Sequence, residues 1–154
     1  MIKRIKDPEE FCKLLDDIHI LFKEDDEKNA HQLVKHDKES IKKRFANRKI
    51  LTWSFFVWAN KTEDKYDAII CFVNENIKFG ENIFSEYLWL SKNPKFGYKL
   101  LKEAISFARK NKFNYITLTT VEKNPCCKRN EKFYKKLGFL KDSTLFISKL
   151  RTTE

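Results

Sequence analysis

The fold of this chain is decided by one stretch, Glu81 to Val121, which reads ENIFSEYLWLSKNPKFGYKLLKEAISFARKNKFNYITLTTV. Its aromatic-rich start, Glu81–Leu90, predicts a long strand, and its β-branched end, Asn114–Val121, predicts another. The residues between them predict an amphipathic helix, because apolar residues recur there at helical spacing: Gly97, Leu100, Leu101, Ala104, Ile105 and Ala108. Strand, helix and strand in this order form a crossover, so we expect the two strands to be parallel.

The turn between the first of these strands and the helix is the first candidate binding site. The first turn of a helix leaves backbone N–H groups unpaired and carries a partial positive charge, and both features suit a phosphate. Three lysines flank the turn, at Lys92, Lys95 and Lys99. The sequence therefore predicts an anion site at this corner.

The part of the chain before Glu81 divides into a helical half and a strand half. Met1–Lys6 alternates apolar and basic residues and indicates a short first strand. Helices are predicted from Pro8 to about Lys23, where an acidic run ends the pattern, and from Ala30 to about Asn47. Strands at Ile50–Ala59 and Tyr66–Asn74 then precede the long strand, with short polar connections typical of an antiparallel meander.

After the crossover, a short helix is predicted over Cys127–Leu137, with Gly138 as its C-cap. Phe139-Leu140 and Thr144–Leu150 are expected to supply a terminal strand or pair of strands. The whole order predicts a mixed α/β fold with helices flanking a central sheet, in a single domain over residues 1–154.

Composition limits the classes of function. The chain has 154 residues, of which 42% are hydrophobic, and it carries no apolar run near the ~20 residues of a membrane span. We therefore expect a globular cytoplasmic protein without membrane contact. Its four cysteines have neither C-x-x-C nor histidine spacing, so no metal site is expected. The net charge of +10 indicates either a solvated lysine surface or attraction to anions such as nucleic acid, a phosphorylated cofactor or an acidic partner.

The segment NEKFYKKLGF, Asn130–Phe139, resembles the C-terminal motif of the GNAT N-acetyltransferase superfamily, in which a short helix carries a tyrosine four residues before a Gly-Phe pair. That tyrosine corresponds to Tyr134. The family's long strand, small-residue turn, helix and next strand also match in order, and the resemblance covers roughly Tyr66–Leu150. This chain departs from the pattern at the turn, where only Gly97 remains of two small residues and Pro94 removes a backbone N–H.

The resemblance implies an acyl-CoA-dependent N-acyltransferase that moves an acetyl group from acetyl-CoA directly to an amine. Backbone N–H groups around Leu88 and Leu90 would polarise the thioester carbonyl. The remaining residues expected to hold coenzyme A are those of the turn and one asparagine of the last helix: Lys92, Asn93, Lys95, Phe96, Gly97, Tyr98, Lys99 and Asn130.

Acetyl transfer to an amine also needs a base and an acid. A carboxylate among apolar neighbours suits the base, so Glu86 is the first candidate and Glu81 the second. Tyr134 is the candidate acid. Each has a simpler alternative, since Glu86 could be an outward-facing strand carboxylate and Tyr134 a packing aromatic. One of the histidines of the first helices could also face the acceptor: His19, His31 or His36.

A second interpretation is a non-catalytic GNAT-fold module that binds nucleic acid or a protein partner. The departures at the turn and the charge of +10 favour it. The sequence specifies neither the amine acceptor nor the oligomeric state.

Overall fold

The computed structural model describes residues 1–29, 34–77, 81–120, 124–142 and 148–150. Within these ranges the strands form one sheet in the order β1-β2-β3-β4-β5. Their bounds are β1 (Ile2–Ile5), β2 (Phe55–Thr62), β3 (Lys65–Ile77), β4 (Glu81–Ser91) and β5 (Tyr115–Thr117). Neighbours from β1 to β4 are antiparallel, and β4 and β5 are parallel. The predicted meander and crossover are confirmed.

Helices cover both faces of the sheet. Their bounds are α1 (Pro8–Asp17), α2 (His19–Lys28), α3 (Lys38–Phe45), α4 (Arg48–Trp53), α5 (Pro94–Lys110) and α6 (Cys127–Lys136). One core lies between the sheet and α1 to α4, and includes Phe11, Phe45 and Phe55. The other lies between the sheet and α5, and includes Phe84 and Leu100. None of the described helices combines the length and apolarity needed to cross a lipid bilayer.

The first predicted helix is two helices in the structure. α1 ends at Asp17, and after Ile18 (φ −93°, ψ 6°) the chain continues as α2 to Lys28. The acidic run that was expected to end the helix lies inside α2. Because Leu21 and Phe22 are buried, packing of this segment holds the helix through its charged residues.

The second predicted helix begins later than expected. Residues 30–33 lie outside the described residues, and α3 starts only at Lys38. Asp37, which interrupts the helical pattern in the sequence, is the N-cap: its Oδ1 accepts from the Ser40 N–H at 3.1 Å. The polar residue therefore starts a helix instead of breaking one.

The strand predicted from Ile50 is wrong at its start. Residues 48–53 form α4, because the Asn47 side chain caps a helix by accepting from the N–H groups of Lys49 at 2.9 Å and Ile50 at 3.3 Å. The strand begins at Phe55. Trp53, which was expected on the strand, lies at the end of α4 and is 71% exposed.

The C-terminal part agrees with the sequence in its helix. α6 confirms the predicted helix, and Gly138 follows it with φ +91°, a left-handed conformation that favours glycine. The predicted terminal strand falls mainly on 143–147, which lie outside the described residues. The flanking residues 139–142 and 148–150 belong to neither helix nor strand.

Candidate active site

β4 and β5 pair over only part of β4. Residues 83–85 lie beside 115–117, and β4 then continues to Ser91 while it remains paired with β3. We call 81–85 the paired half of β4 and 86–91 its open half. No described residue pairs with the open half on the β5 side. The two parallel strands therefore part at their C-terminal ends, and the predicted strand Asn114–Val121 ends as a strand at Thr117.

A β-bulge lies at the start of the open half. Phe72 of β3 lies opposite Glu86, whereas the preceding Cys71 lies opposite Leu88, so Tyr87 is an extra residue in β4. A bulge bends the strand and increases its twist. It also shifts by one residue the alternation with which the following residues of β4 direct their backbone groups to the two edges of the strand.

This shift determines which backbone groups face the gap. The Lys92 N–H, just beyond β4, donates to the Asp67 carbonyl of β3 at 3.0 Å. Successive strand residues direct their backbone groups to opposite edges. The N–H and C=O groups of Ser91 and Trp89 therefore face the gap and have no partner strand among the described residues.

The same alternation directs the backbone groups of Leu88 and Leu90 toward β3. These two residues were expected to line the gap, and without the extra residue at Tyr87 they would do so. In the structure Trp89 and Ser91 take their place at this edge, because of the bulge.

Two candidate catalytic side chains meet at one residue of the gap. The Thr119 N–H donates to Glu86 Oε2 at 2.9 Å, and the Tyr134 hydroxyl donates to the Thr119 carbonyl at 3.1 Å. Sequence reasoning offered Glu86 and Tyr134 as candidates but did not include Thr119. No sequence signal marks such a residue, since its main chain makes the bridge and becomes available only because β5 ends at Thr117.

Glu86 has the environment of a base. Burial raises the pKa of its carboxyl group to about 7, the Asp25 carboxylate contributes in the same direction, and the hydrogen bonds from Thr119 oppose both. A group with this pKa is ionised in a large fraction of molecules at neutral pH and still binds a proton well. In the structure Glu86 is half-buried and its carboxylate is hydrogen-bonded to Thr119.

Tyr134 is a buried phenol that remains protonated. Burial first, and then the negative charge of Glu86, raises its pKa above the ordinary tyrosine range. Its side chain is 8% exposed, and its ring stacks near Trp89 with centroids 6.4 Å apart. Tyr134 therefore packs as an aromatic residue and also presents a hydroxyl donor.

Glu81, the second candidate base, lies away from this site. It pairs with Ile77 at the start of β4, beyond the residues that pair with β5. Glu86 lies five positions further along β4, or about 17 Å along the strand. The structure does not bring Glu81 to the gap.

The turn at the start of α5 is capped from within the chain. Asn93 Oδ1 accepts from the Lys95 N–H at 3.0 Å, and the Asn93 carbonyl accepts from Phe96 at 3.0 Å and Gly97 at 3.3 Å. Pro94 has no N–H to offer. The first-turn amides that were expected to face a phosphate are therefore already hydrogen-bonded.

Gly97 is required by packing at this corner. A Cβ atom on Gly97 would lie 3.2 Å from both Ser91 Cβ and Trp89 Nε1. The absence of a side chain thus lets the start of α5 lie directly against the open half of β4.

The cations predicted at the turn are available for a ligand. Lys92, Lys95 and Lys99 are exposed, and within the described ranges none of them forms an ion pair. Tyr98 turns toward α6, where its ring lies 5.8 Å from that of Phe133 in an edge-to-face contact. The corner therefore combines free ammonium groups with an aromatic wall.

The two asparagines near the start of α6 differ in their surroundings. The Asn124 side chain donates to Asn29 Oδ1 at 2.6 Å and accepts from the Cys126 N–H at 2.8 Å, so it fastens the loop to the end of α2. Asn130, the residue expected to bind the cofactor, is half-buried on α6. Its side chain has no hydrogen-bond partner in the part of the chain that the structure describes.

A cleft of about 390 Å³ lies between α3 and the open half of β4. His36 lines it, and its Nε2 lies 2.9 Å from Asp25 Oδ2. The Asp25 charge also contributes to the raised pKa of Glu86. Of the three histidines named from the sequence, His36 lines this cleft, His19 does not, and His31 lies outside the described residues.

No family model matches the chain, and no curated protein matches it by sequence. Solved structures do resemble it. Aminoglycoside acetyltransferase meta-AAC0020 from an uncultured soil metagenomic sample, in complex with sisomicin, has a TM-score of 0.71 at 14% identity, over 98% of this chain and 96% of that one. The F44R mutant of BH1408 from Bacillus halodurans has a TM-score of 0.70 at 14% identity, over 98% and 99%.

A third similar structure is the ribosomal-protein-alanine N-acetyltransferase from Brucella melitensis biovar Abortus 2308. Its TM-score is 0.66 at 8% identity, over 97% of this chain and 99% of that one. Each similarity extends over nearly the whole of both chains. At these identities the likeness is one of fold.

Proposed function

We propose that this chain, which has the GNAT acetyltransferase fold, is an acyl-CoA-dependent N-acyltransferase that transfers acetyl from acetyl-CoA directly to an amine. The observation that carries the proposal is the bridge at Thr119. It joins a carboxylate whose pKa is near 7 to a protonated phenol, on two sides of a gap between parallel strands. A base and an acid in one opening are what amide formation from a thioester requires.

The residues at the gap fit an acyl-CoA. The coenzyme's arm contains amide groups, and the outward-facing N–H and C=O groups of Trp89 and Ser91 can pair with them as a neighbouring strand would. Lys92, Lys95 and Lys99 supply cations for its phosphates. Because the first-turn amides are already bonded, we assign the phosphates to the lysine ammonium groups.

The chemistry divides between the two bridged side chains. Bound acetyl-CoA supplies an activated acetyl thioester. Glu86 accepts the proton that the amine loses as its nitrogen acquires the acetyl group, and it returns the proton to water. The Tyr134 hydroxyl gives its proton to the departing sulfur and regains one from solvent. The neutral acid form of Tyr134 is maintained by its burial.

The alternative, a non-catalytic binding module, is favoured by one specific observation. Asn93 satisfies the first-turn amides of α5, and Pro94 lacks one, so the backbone phosphate seat is closed. The net charge of +10 would then serve nucleic acid or an acidic protein surface.

Isothermal titration with acetyl-CoA, coenzyme A and dephospho-coenzyme A tests the proposal, followed by thiol-release assays with a panel of amines. A triple variant, Lys92→Gln with Lys95→Gln and Lys99→Gln, is expected to weaken coenzyme A binding about tenfold or more. The matched control removes three exposed charges away from the turn, at Lys43, Lys49 and Lys110. It is expected to have little effect, because only non-specific attraction is lost.

Two results would contradict the proposal. One is no binding of any coenzyme at millimolar concentration. The other is salt-dependent binding of a DNA or RNA oligonucleotide without thiol release, which would support the binding module instead.

A further inference from the structure

The positive charge of the chain is concentrated in its second half. Residues 1–80 contain 16 lysines and arginines and 15 aspartates and glutamates, whereas residues 81–154 contain 16 and 7. The second half therefore supplies +9 of the net charge of +10. A charge difference of this kind between two halves of a chain indicates interaction with nucleic acid or with a membrane surface.

The exposed face of α6 consists of cations. Positions i, i+1, i+4, i+7 and i+8 of a helix lie within about 120° of one another around its axis. In α6 the residues at these positions are all basic and all exposed, and we call them the basic face: Lys128, Arg129, Lys132, Lys135 and Lys136. The opposite face of the helix carries the buried residues Cys127 and Tyr134. The burial of one face thus leaves a single stripe of positive charge on the other.

The basic face is not neutralised by neighbouring acids. Among the residues that the structure describes, no carboxylate lies within ion-pair distance of its five cations. Glu131, which is the acidic residue of α6, pairs instead with Lys141 at 3.4 Å. Lysines of the first half behave differently, since Lys38 and Lys42 both bind Asp16, at 2.9 Å and 2.7 Å. The cations of α6 are therefore available to an external anion.

The start of α5 extends this surface across a contact between two aromatic rings. Tyr98 of α5 and Phe133 of α6 meet edge to face, with their centroids 5.8 Å apart. The ammonium group of Lys102 lies 5.1 Å from the centre of the Tyr98 ring, so it belongs to the same seam between the helices. Tyr98 is 38% exposed. The seam adds a sixth cation and a partly exposed ring to the surface.

The spacing of the cations matches the charge spacing of a nucleic-acid strand. The 10 residues of α6 span about 15 Å, so the five cations of the basic face give about one positive charge per 3 Å. One strand of a nucleic acid carries one phosphate charge per about 3.4 Å of helix axis. The two charge densities are therefore complementary along the length of α6.

Two observations favour nucleic acid over the other polyanions. A helix that binds a membrane surface turns its apolar face to the lipid, whereas the apolar face of α6 is buried within this protein. Nucleic-acid bases stack on aromatic rings beside a cationic surface, and Tyr98 supplies such a ring at the seam. Phosphates and bases together fit this surface better than lipid head groups or carboxylates alone.

We propose that the basic face of α6, with Lys102 at its border, binds the phosphate backbone of a nucleic acid. Lysine ammonium groups act on phosphates as point charges, so the contact holds the strand without reading its sequence. A strand bound there lies about one helix diameter, ~10 Å, from Tyr134 on the other face of α6. The inference goes beyond the proposed function and does not depend on it.

Fluorescence anisotropy on the full chain tests this inference with labelled 20-nucleotide probes of single-stranded RNA, single-stranded DNA and duplex DNA. At least one probe is expected to bind, and its affinity should fall about a hundredfold or more between 50 and 200 mM salt, as expected for about five phosphate contacts. Comparison of the three probes identifies the kind of strand. Polyglutamate and phosphatidylserine vesicles are the competing polyanions.

A charge-matched pair of variants locates the surface. The first replaces four lysines of the basic face by glutamine, at Lys128, Lys132, Lys135 and Lys136. It is expected to weaken binding at least tenfold and to reduce the slope of log K against log salt by about 3. The control replaces four exposed lysines of the first half, at Lys13, Lys23, Lys43 and Lys49. It has the same net charge and is expected to change the slope by less than about 1.

Three results would overturn the inference. One is an equal loss of affinity in the two variants while circular dichroism shows both to be folded, because net charge alone would then account for binding. Another is no binding of any of the three probes at 50 mM salt. The third is binding of polyglutamate or of the vesicles as tight as that of the best nucleic-acid probe, which would assign the surface to an acidic protein or to lipid.

Thiol release on the same samples separates this inference from the proposed function. The four-lysine variant of the basic face is expected to keep the rate of thiol release with a small amine within about twofold, because none of its changes lies in the candidate active site. Thiol release by a chain that binds no probe would overturn this inference and leave the transferase standing. Probe binding through the basic face without thiol release would contradict the transferase and support this inference alone.

Discussion

The paired half and the open half of β4 belong to one strand but differ in packing and in the groups that they leave available. In the paired half, Phe84 is fully buried and stacks on Phe72 with centroids 4.3 Å apart, and Ser85 Oγ donates to Glu75 at 2.8 Å. In the open half, Glu86 holds a carboxylate with a pKa near 7, and the backbone faces a gap. The difference shows that a bulge and an early end to the neighbouring strand are enough to turn a core strand into a candidate site.

Hydrogen bonding explains why the halves differ. At residues 83–85 both edges of the strand pair with neighbouring strands, so few backbone groups are left there to bind a ligand. In the open half the outward N–H and C=O groups of Trp89 and Ser91 have no partner strand among the described residues. A buried unsatisfied group costs about 1–3 kcal/mol, so this edge favours water or a ligand with matching amides.

The largest difference between the halves is expected when the glutamate in each of them is replaced by glutamine. Glu86→Gln is expected to lower kcat by about a hundredfold or more with little change in the KM for acetyl-CoA, because the base is lost and the binding surface remains. Glu81→Gln, in the paired half, is expected to keep kcat within about twofold. Steady-state thiol release measures both. Equal losses of kcat in the two variants would show that the carboxylates of the two halves do not differ in their contribution to catalysis.

The dependence of folding stability on pH provides a second test of the open half, through Glu86. The pKa of Glu86 is raised from 4.5 to about 7 by folding, so the folded state holds a proton that the unfolded state loses. The stability contributed by this group is therefore present below about pH 4.5 and is lost as pH rises through 7, by about 1–3 kcal/mol. Glu86→Gln should raise Tm relative to wild type more at pH 8 than at pH 5. A gain in Tm that does not depend on pH would show that folding does not raise the pKa of Glu86.

Tyr134 lies across the gap from the open half of β4, and the Tyr134→Phe variant tests its role. The ring remains next to Trp89, and only the hydroxyl that donates to Thr119 is removed. We expect kcat to fall about tenfold to a hundredfold while acetyl-CoA affinity stays nearly constant. Single-turnover and titration experiments on the same variant measure the two quantities. An unchanged rate would leave Tyr134 with a packing role alone.

A smaller effect is expected at the turn beside the open half. Asn93→Ala removes the side-chain cap of α5 and should destabilise the chain by about 1 kcal/mol, measured by urea denaturation. The Lys95 N–H becomes free, so coenzyme A affinity should stay equal or increase. Loss of affinity would instead assign the Asn93 side chain to the cofactor.

The smallest expected effect concerns Thr119 itself. Its hydrogen bonds favour the charged form of Glu86 and lower the pKa of that carboxyl group. Thr119→Val keeps the backbone N–H and removes the hydroxyl, so the pKa should rise by a fraction of a unit. The acid limb of kcat/KM against pH should move to higher pH by the same amount. A shift in the opposite direction would show that the hydroxyl opposes ionisation of Glu86.

Much of the fold could be predicted from local pattern. The crossover in residues 81–121 depends on apolar spacing, and α6 with Gly138 depends on a helix ending in a left-handed residue. α4 was missed because Asn47 caps it through a side chain, while the aromatic composition around Trp53 resembles that of a strand. Propensity is a weak signal where a cap or tertiary packing favours another structure.

The candidate site residues also divide into those that the local sequence suggests and those that only the tertiary structure reveals. Glu86 and Tyr134 could be identified because their side-chain chemistry is visible in the sequence. Thr119 contributes through its main chain. Its role depends on contacts between residues far apart in the chain, which no local pattern contains.

By itself the sequence determined the antiparallel meander, the parallel crossover and the last helix, and it offered Glu86 and Tyr134 as candidates, because periodicity and residue chemistry are local properties. The tertiary structure alone decided that Trp89 and Ser91, rather than Leu88 and Leu90, face the gap. The reason is that one extra residue at Tyr87 reverses the alternation of the strand. That bulge exists only in the pairing between β4 and β3.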